Sequence, residues 1–545
     1  MNIRSDYNEK ELKRIARLSG SKQAEKDAHI VAYLGFRSPE KMYCEYIGGV
    51  AFINGMVGKS IMRIYGVAVA ESYKRKGIAT FLLNRVLEFA KRKGLQKITT
   101  KTIAGLVFYQ RNGFQVVGSN EKGEYLMEKI INMGYYQSPR WSNEIADCSM
   151  PMTFDTYSNC AYGCLYCFAQ FQRALGGAKE AYLHKDVKPV NVEHIKKMFT
   201  EPDKYAGQFA TYIKDRKVMQ WGGMSDQFDN FERKFGKTLE LLRFFKDIDY
   251  PLCFSTKATW FTKDERYMDL IRGQKNWNFK FSIITLDKQK AHVIERGVDS
   301  PIERLAAIER IANANAGGAT LRLRPFVIGV STPTYLDLIQ EAHNRGASAM
   351  STEFFCVEQR SPTLKAFMPK LNELCGFDVM AFYKKYSVST GYLRLNRKVK
   401  EPFMRNMKAL TEKIGMRFYV SDAHFKELCC NGSCCGLPSD WNYSKGQWCE
   451  ALQLAKKNGH VSWNEVRHDI EELHQYDWGR AQGYNCNSSE KRAKFMGMTM
   501  AEYMRYLWNN PQNGQSPYKL FEGAMVPDGK DANGNIIYRY NGAKF

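Results

Sequence analysis

Apolar residues along this chain switch between two spacings. Gly48-Gly-Val-Ala-Phe-Ile53 and Ile61-Met-Arg-Ile-Tyr-Gly-Val-Ala-Val69 carry the short apolar pattern of strands. Leu82, Leu83, Val86, Leu87 and Ala90 instead recur at the three- and four-residue spacing of an amphipathic helix, and a basic helix is predicted around Glu9 to Leu18. Residues 1–132 therefore predict an α+β domain. Beyond a polar, aromatic linker at 133–149, the pattern becomes alternately strand and helix. Strands at 218–221, 252–255, 279–284 and 320–328 are separated by helices at 237–245, around Tyr267 and at 302–312, with a further helix at 335–344. Repeated units of this kind predict a parallel sheet or partial (β/α) barrel over residues 150–380, with functional residues at the C-terminal ends of the strands. Residues 381–545 read as a basic, Cys-rich C-terminal extension, in which Pro527-Asp-Gly529 and Asn533-Gly-Asn535 are expected to turn a small β-hairpin. The fold class is thus multidomain, α+β followed by α/β.

Composition narrows the class. The 545 residues suffice for about three domains with more than one core. No charged-then-apolar leader pattern is present, and no apolar run approaches the roughly 20 residues that span a bilayer, so a cytoplasmic protein with no membrane partner is expected. In that reducing compartment the 14 cysteines favour metal and cluster ligation over disulfides. A formal charge of +23 points to a polyanionic partner, of which nucleic acid is the commonest.

The sharpest chemical signal is Cys160, Cys164 and Cys167 in the run Tyr157-Ser-Asn-Cys-Ala-Tyr-Gly-Cys-Leu-Tyr-Cys-Phe168. Three thiolates at this spacing can hold three irons of a 4Fe-4S cluster and leave the fourth open. The competing readings are a zinc knuckle and three unrelated buried cysteines; zinc wants four ligands, and the nearest histidine, His184, is far along the chain. The spacing, the aromatics Tyr166 and Phe168 and the preceding Met150-Pro-Met-Thr-Phe154 resemble the radical S-adenosylmethionine superfamily. That resemblance implies a cluster whose open iron binds S-adenosylmethionine and cleaves it to a 5'-deoxyadenosyl radical, with an electron donor such as flavodoxin or ferredoxin.

Further motifs narrow the resemblance to the spore photoproduct lyase type over roughly residues 150–350. They are Gly222-Gly-Met-Ser-Asp226, Ser255-Thr-Lys257, Phe281-Ser-Ile-Ile-Thr285 and Glu295-Arg-Gly-Val-Asp-Ser-Pro-Ile-Glu-Arg304. The resemblance implies that Gly222 and Gly223 lie by the methionine amino group and that Lys257 and Ser282 lie by its carboxylate. Arg322, Arg324 and Glu295 are secondary candidates. Ser225-Asp226-Gln227 stands where that type usually has Thr-Asp-Pro, so dimer repair does not carry over.

In the N-terminal domain, Glu71-Ser-Tyr-Lys-Arg-Lys-Gly-Ile-Ala-Thr80 joins a strand to a helix N-terminus through a basic, glycine-containing turn, which is an anion site. The segment resembles the pyrophosphate-binding motif of the GNAT acyltransferases, with Lys74 at the position of the usual Arg or Gln, followed by Gly77 and Ala79. The resemblance implies acetyl-CoA or another acyl-CoA held by Val67, Val69, Lys74, Arg75, Lys76, Gly77, Ile78, Ala79 and Thr80. Gly105-Leu-Val-Phe-Tyr-Gln-Arg-Asn-Gly-Phe114 resembles a second GNAT signature, in which Tyr109 would protonate the leaving thiolate.

Two features of the C-terminal region add to this. From Lys384 to Arg417 ten basic residues stand against two glutamates, with Tyr383, Tyr386, Tyr392 and Phe403 nearby, a composition that suits either a single-stranded nucleic-acid surface or a solvated helix with buried tyrosines. Cys429, Cys430, Cys434 and Cys435 lie in one short turn with His424 before and Cys449 after, so a second iron-sulfur cluster or zinc is expected, with Cys449 or Cys486 as a further ligand. The chain is expected to be a radical enzyme with a fused acyltransferase-like domain, modifying a nucleic-acid base or nucleotide. The alternatives are a peptide or small-metabolite substrate with an independent amine N-acetyltransferase, and a GNAT domain used only for binding.

Overall fold

The structure, a computed structural model, describes residues 3–6, 8–26, 28, 41–58, 61–93, 95–131, 135–142, 145–175, 182–361, 364–481 and 489–542. It divides into two compact units, Met1–Gly134 and Tyr135–Phe545.

The first unit is a seven-stranded sheet of β1 (Ile3–Arg4), β2 (Met42–Ile47), β3 (Ala51–Val57), β4 (Ile61–Val69), β5 (Lys97–Thr102), β6 (Gln115–Ser119) and β7 (Tyr125–Ile130), in the order β1-β2-β3-β4-β5-β7-β6. Neighbours are antiparallel except β4 and β5, which pair in parallel only from Ile61 to Arg63. The predicted helices form at Glu9–Leu18, capped by Asn8, and at Ile78–Arg92, whose Leu82, Leu83, Val86 and Ala90 pack with Ile53, Ile64 and Ile98 of the sheet. The strand expected at 48–53 begins only at Ala51. Gly49 takes φ 66 in a tight turn closed by the Val50 N–H on the Ile47 carbonyl, so the glycine pair turns the chain rather than extending it.

In the second unit the strands are, in chain order, β8 (Arg140–Trp141), β9 (Met152–Phe154), β10 (Gly163–Cys164), β11 (Met219–Trp221), β12 (Leu252–Thr256), β13 (Trp277–Ser282), β14 (Glu295–Arg296), β15 (Gly318–Phe326), β16 (Ala349–Phe354), β17 (Val357–Glu358), β18 (Tyr392–Leu393), β19 (Arg417–Val420), β20 (His460–Val461), β21 (Met525–Lys530) and β22 (Ile536–Tyr540). Eight of them form one sheet in the order β19-β16-β15-β13-β12-β11-β9-β8, parallel throughout except where β8 joins β9. Among the described residues β8 and β19 are its edges, so it is an open, partial barrel. Residues 140–141 and 417–420, expected in a linker and in the C-terminal extension, are strands of this same sheet.

Period-two alternation gives the sheet two unlike faces. Trp221, Phe254, Phe279 and Phe281 form an aromatic layer that Phe245 and Phe261 extend. The alternate positions are polar and bonded across strands. Lys280 Nζ donates to Gln220 Oε1 at 2.6 Å, Gln220 Nε2 to Ser255 Oγ at 3.0 Å, and Arg322 Nη1 to Ser282 Oγ at 3.2 Å. Parallel sheets are usually apolar on both faces, so a bonded polar row marks the side where chemistry is to be sought.

The terminal hairpin forms between β21 and β22, but its turn is Asp531–Asn535, with Pro527-Asp-Gly529 lying inside β21 at an irregular register. Asp531 takes the N–H groups of Asn533 and Asn535, which favours a turn there over the proline site. Among the described residues no helix is long and apolar enough to cross a membrane.

Candidate active sites of the two units

The cysteine loop follows β9 at its C-terminal end, and it is pinned at several points. Cys164 in β10 pairs with Glu295 in β14, and the Leu165 N–H reaches the Ile294 carbonyl at 2.9 Å. The Tyr166 hydroxyl donates to one oxygen of Glu295, and Arg304 Nη2 donates to the other at 2.6 Å. Arg304 also donates from Nη1 to the carbonyl of Ser282, the last residue of β13, at 2.6 Å. Glu295 and Arg304 are 1% and 0% exposed, so this carboxylate and guanidinium rely on each other entirely.

A second set of bonds radiates from the loop after β11. Asp155, just past β9, accepts the N–H groups of Met224 and Ser225, both at 2.9 Å, and also binds Arg140. Asp226 accepts the Lys257 N–H at 2.6 Å and the Thr256 hydroxyl, tying β11 to the end of β12. Asp229 accepts the Ala161 N–H at 2.6 Å, reaching into the cysteine loop, and burial pushes its carboxyl up to about 7. One segment after β11 thus holds the ends of β9 and β12 and the cysteines in mutual register.

The expected cosubstrate residues lie on this face. Gly222 has φ 92, and a Cβ there would stand 2.6 Å from the Ser255 carbonyl oxygen and closer still to Gln227, so no other residue fits. Gln227 is fully buried and neither atom of its amide has a hydrogen-bond partner, which points to a ligand group at this place. Gly223 faces Arg140, and Lys257 Nζ lies 5.6 Å from the Tyr166 ring centroid. Arg322 is pushed down to about 10 by burial and by Arg324, so the polar face carries crowded cations.

Among the described residues no three histidine, cysteine, aspartate or glutamate side chains stand close enough to share one metal ion. That weighs against a zinc knuckle at Cys160, Cys164 and Cys167. It leaves a 4Fe-4S cluster open, because in a cubane each thiolate binds a different iron. Three sulfur donors suit it. Without iron, burial raises the Cys160 thiol well above its ordinary range and the Cys164 thiol to about 12, against the thiolate, while Lys257 draws Cys164 back down. Lys185 Nζ donates to the carbonyls of Cys160 and Tyr162 at 3.0 and 2.7 Å and feels the charge of all three thiols. Lys185 and Lys257 are thus the cations that oppose the effect of burial on these sulfurs.

In the second cysteine cluster the four thiols differ in burial and in partners. Cys430 is exposed and its sulfur accepts the Phe418 N–H at 3.3 Å, whereas Cys429 is buried and hydrogen-bonds to Cys449. Cys434 and Cys435 have their sulfurs 3.7 Å apart, and the Cys434 contact draws Cys435 down to about 6. Cys486 lies outside the described residues. The basic segment is divided: Lys384, Lys385, Arg394, Lys398, Arg405 and Lys413 are exposed, and Lys400 is buried. Lys400 is buried against Asp422 at 2.6 Å and His424, Arg405 pairs with Glu401 and Lys408 with Glu412. Tyr383 is buried, and Phe403 packs on Phe326 and Phe354. Ion pairs and core packing take up part of this segment, and its remaining cations face solvent.

In the first unit, Val67 and Val69 lie on β4 where β5 no longer pairs with it, leaving an open strand edge above the basic turn. Lys74, Arg75, Lys76 and Gly77 are exposed there, and Ile78, Ala79 and Thr80 open the helix. Arg75 and Gly77 take φ 61 and 78, so successive backbone N–H groups curl into an anion-binding concavity. The Lys74 ammonium is held by Glu71 at 2.5 Å and the Ser19 carbonyl at 3.1 Å. Tyr109 is buried between Phe108 and Phe114. Residues 4–114 match the acetyltransferase (GNAT) family.

The first unit is a GNAT domain. Similar solved structures are an aminoglycoside 6'-N-acetyltransferase complexed with coenzyme A (16% identity, 24% of this chain and 97% of that one, TM-score 0.21) and Ard1 from Thermoplasma volcanium (20%, 24%, 97%, 0.21). A spore photoproduct lyase mutant is similar over 53% of this chain and 80% of its own, at 17% identity and a TM-score of 0.39. No curated protein matches the chain.

Asp155, Asp229, Lys185 and Arg304 were not singled out as functional from the sequence alone. For Asp229 a signal existed: Asp226 and Asp229 follow an apolar strand within the expected C-terminal face.

Proposed function

We propose that the second unit is a radical S-adenosylmethionine enzyme, with Cys160, Cys164 and Cys167 holding a 4Fe-4S cluster, and that the GNAT domain binds an acyl-CoA. Together they would modify a nucleic-acid base or nucleotide. The observation that carries this reading is the loop after β11, which bonds at once to the cysteine loop through Asp229 and to Lys257 through Asp226. A thiol triad, a glycine that cannot be replaced and an orphaned amide are gathered at the ends of parallel strands, where such folds act. When bound, the cluster supplies an electron for reductive cleavage of S-adenosylmethionine, and so a radical able to take hydrogen from a carbon that no side chain could deprotonate. The chain's own residues orient and shield: Glu295 fixes Tyr166, Arg304 fixes the end of β13, and Gly222 lets a ligand approach the backbone.

The exposed cations Lys384, Lys385, Arg394, Lys398 and Lys413 support a phosphate-bearing substrate, either a nucleotide or a nucleic-acid strand. The test is nucleoside mass spectrometry on digested DNA, RNA and the free nucleotide pool of cells expressing the chain. A nucleoside that depends on intact Cys164 is expected, and its mass would show whether an acyl group is added. No difference in any pool, with the iron assembled, would move the reading to a peptide or metabolite substrate.

For the GNAT domain, Gly77→Val is expected to weaken acetyl-CoA binding about tenfold or more, since a β-branched residue at φ 78 costs on the order of 1–2 kcal/mol and would unwind the N–H array. Nothing lies within 4 Å of a Cβ built there, so the cost is backbone strain alone and the melting temperature of the domain should fall by only several degrees. Calorimetric titration with acetyl-CoA reads the difference, and an unchanged Kd would remove the turn from the binding site.

A further inference from the structure

Ser282, Arg322, Ser351 and Tyr419 form one row across β13, β15, β16 and β19, each in register with the next. Residues in register on parallel strands share a face, so the Arg322 guanidinium stands between two serines on the polar side of the sheet. Tyr166 lies near enough to act electrostatically on Arg322, which sets this row on the side of the cysteine loop. Tyr419 is spent, since its hydroxyl donates to the Leu437 carbonyl at 2.8 Å.

The charges around the row do not balance. Arg324 has Glu353, Lys257 has Asp226, which also takes its N–H, and Lys280 has the Cys435 thiol, whose ionisation it favours. Among the described residues Arg322 has no acid of its own. Its Nη1 donates to Ser282 Oγ at 3.2 Å and leans on the Arg324 carbonyl at 3.5 Å, while Nε and Nη2 donate to nothing. The Ser351 hydroxyl, in the next strand, also has no partner. Unlike the Gln227 amide, these unpartnered groups are still open to solvent.

An unpaired cation inside a fold is costly to desolvate, so an anion is favoured there. Nε and Nη2 make the side-on edge of the guanidinium, a planar fork that takes two oxygens of one carboxylate or phosphate. A phosphate offers a third oxygen to the Ser351 hydroxyl, which a carboxylate held by the same edge lacks. We propose that Arg322 and Ser351 seat one phosphate of a nucleotide inside the partial barrel, with Ser282 orienting the guanidinium. The proposal rests on the reading of the second unit as a nucleotide-modifying enzyme and names the anchor of its substrate. Such a phosphate has two sources, the monoester of a free nucleotide and the diester of a strand.

The test is calorimetric titration of the full chain, with S-adenosylmethionine present, using the nucleosides of DNA and RNA, their 5'-monophosphates and the matching dinucleoside monophosphates. At least one phosphorylated form is expected to bind about tenfold or more tighter than its nucleoside. The tighter of the two forms names the source. Arg322→Gln should erase this preference, and Ser351→Ala should cut it about threefold or more. The melting temperature of Arg322→Gln should not fall, because no carboxylate loses its cation. The proposal is overturned if phosphate confers no advantage, if the advantage survives either substitution, if Arg322→Gln is markedly destabilised, or if that variant weakens the binding of S-adenosylmethionine instead. Iron content and S-adenosylmethionine cleavage measured on the same samples report separately on the cluster, so either reading can fail alone.

Discussion

Cys164→Ala is expected to yield a folded protein without the main cluster's iron or its brown colour, and without detectable cleavage of S-adenosylmethionine. Cys164 is 6% exposed and lies in β10, paired with Glu295. Shortening it to alanine removes one buried sulfur, a loss on the order of 1–2 kcal/mol that a unit of this size can absorb. The chemical loss would be complete, because two thiolates cannot hold three irons of a cubane with one iron open. Anaerobic reconstitution with iron and sulfide, followed by metal analysis and chromatography of the cleavage products, reads both effects. Iron retained at wild-type stoichiometry, or cleavage surviving in the variant, would sink the cluster assignment. A melting temperature far below wild type would instead mean that the thiol is needed for packing.

Glu295→Ala carries the second large effect, and here stability is the readout. The ion pair with Arg304 is 1% exposed on both sides, and the same carboxylate takes the Tyr166 hydroxyl. Removing it strands a buried guanidinium and a buried phenol, and breaking such a pair from one side costs about 3–5 kcal/mol. Urea unfolding of the second unit should shift to lower denaturant by that amount. Arg304→Met in the same chain should recover part of the loss, since the unpaired charge is then gone. A loss below about 1 kcal/mol would show that water reaches Arg304 and that the network does not hold the cysteine loop. With the loop freed from Tyr166, iron uptake is expected to fall as well, although all three cysteines remain. That outcome separates a positioning role for Glu295 from a ligand role.

The parts of this protein legible in its sequence are those whose cause is local. The GNAT strand at Ile61–Val69 and the helices at Glu9–Leu18 and Tyr335–Asn344 form where the apolar spacing puts them. A short segment's periodicity dictates which face it can bury. The three cysteines and the glycines at 77 and 222 were visible for the same reason, since a ligand spacing or a left-handed turn is a property of a few consecutive residues. Where neighbours pull two ways, local reading failed. Gly48-Gly looked like the start of a strand and is a turn, and Pro527-Asp-Gly529 looked like a turn and lies in a strand.

Composition left two readings open in the segment 384–417, because charge and aromatic content do not say which way a side chain faces. Lys400 finds Asp422, and Phe403 finds Phe326 and Phe354, only when β15, β16 and β19 lie side by side. The partners of the cysteines at 429–435 are decided in the same way: Cys429 meets Cys449 of the helix Trp448–Asn458, while the exposed Cys430 takes the Phe418 N–H.

By itself the sequence determined the order of secondary elements, the GNAT domain and the thiol triad, each of which depends on residues within a few turns of one another. Only the tertiary structure decided what holds the triad and which cations of the basic segment are buried in pairs. Those outcomes rest on pairs such as Ala161 with Asp229, Tyr166 with Glu295 and Asp147 with Lys426, the last separated by 279 positions (426 minus 147). Bonds across such distances form only because the packing of the whole sheet meets the entropy cost of closing the chain between them, and no local pattern records that.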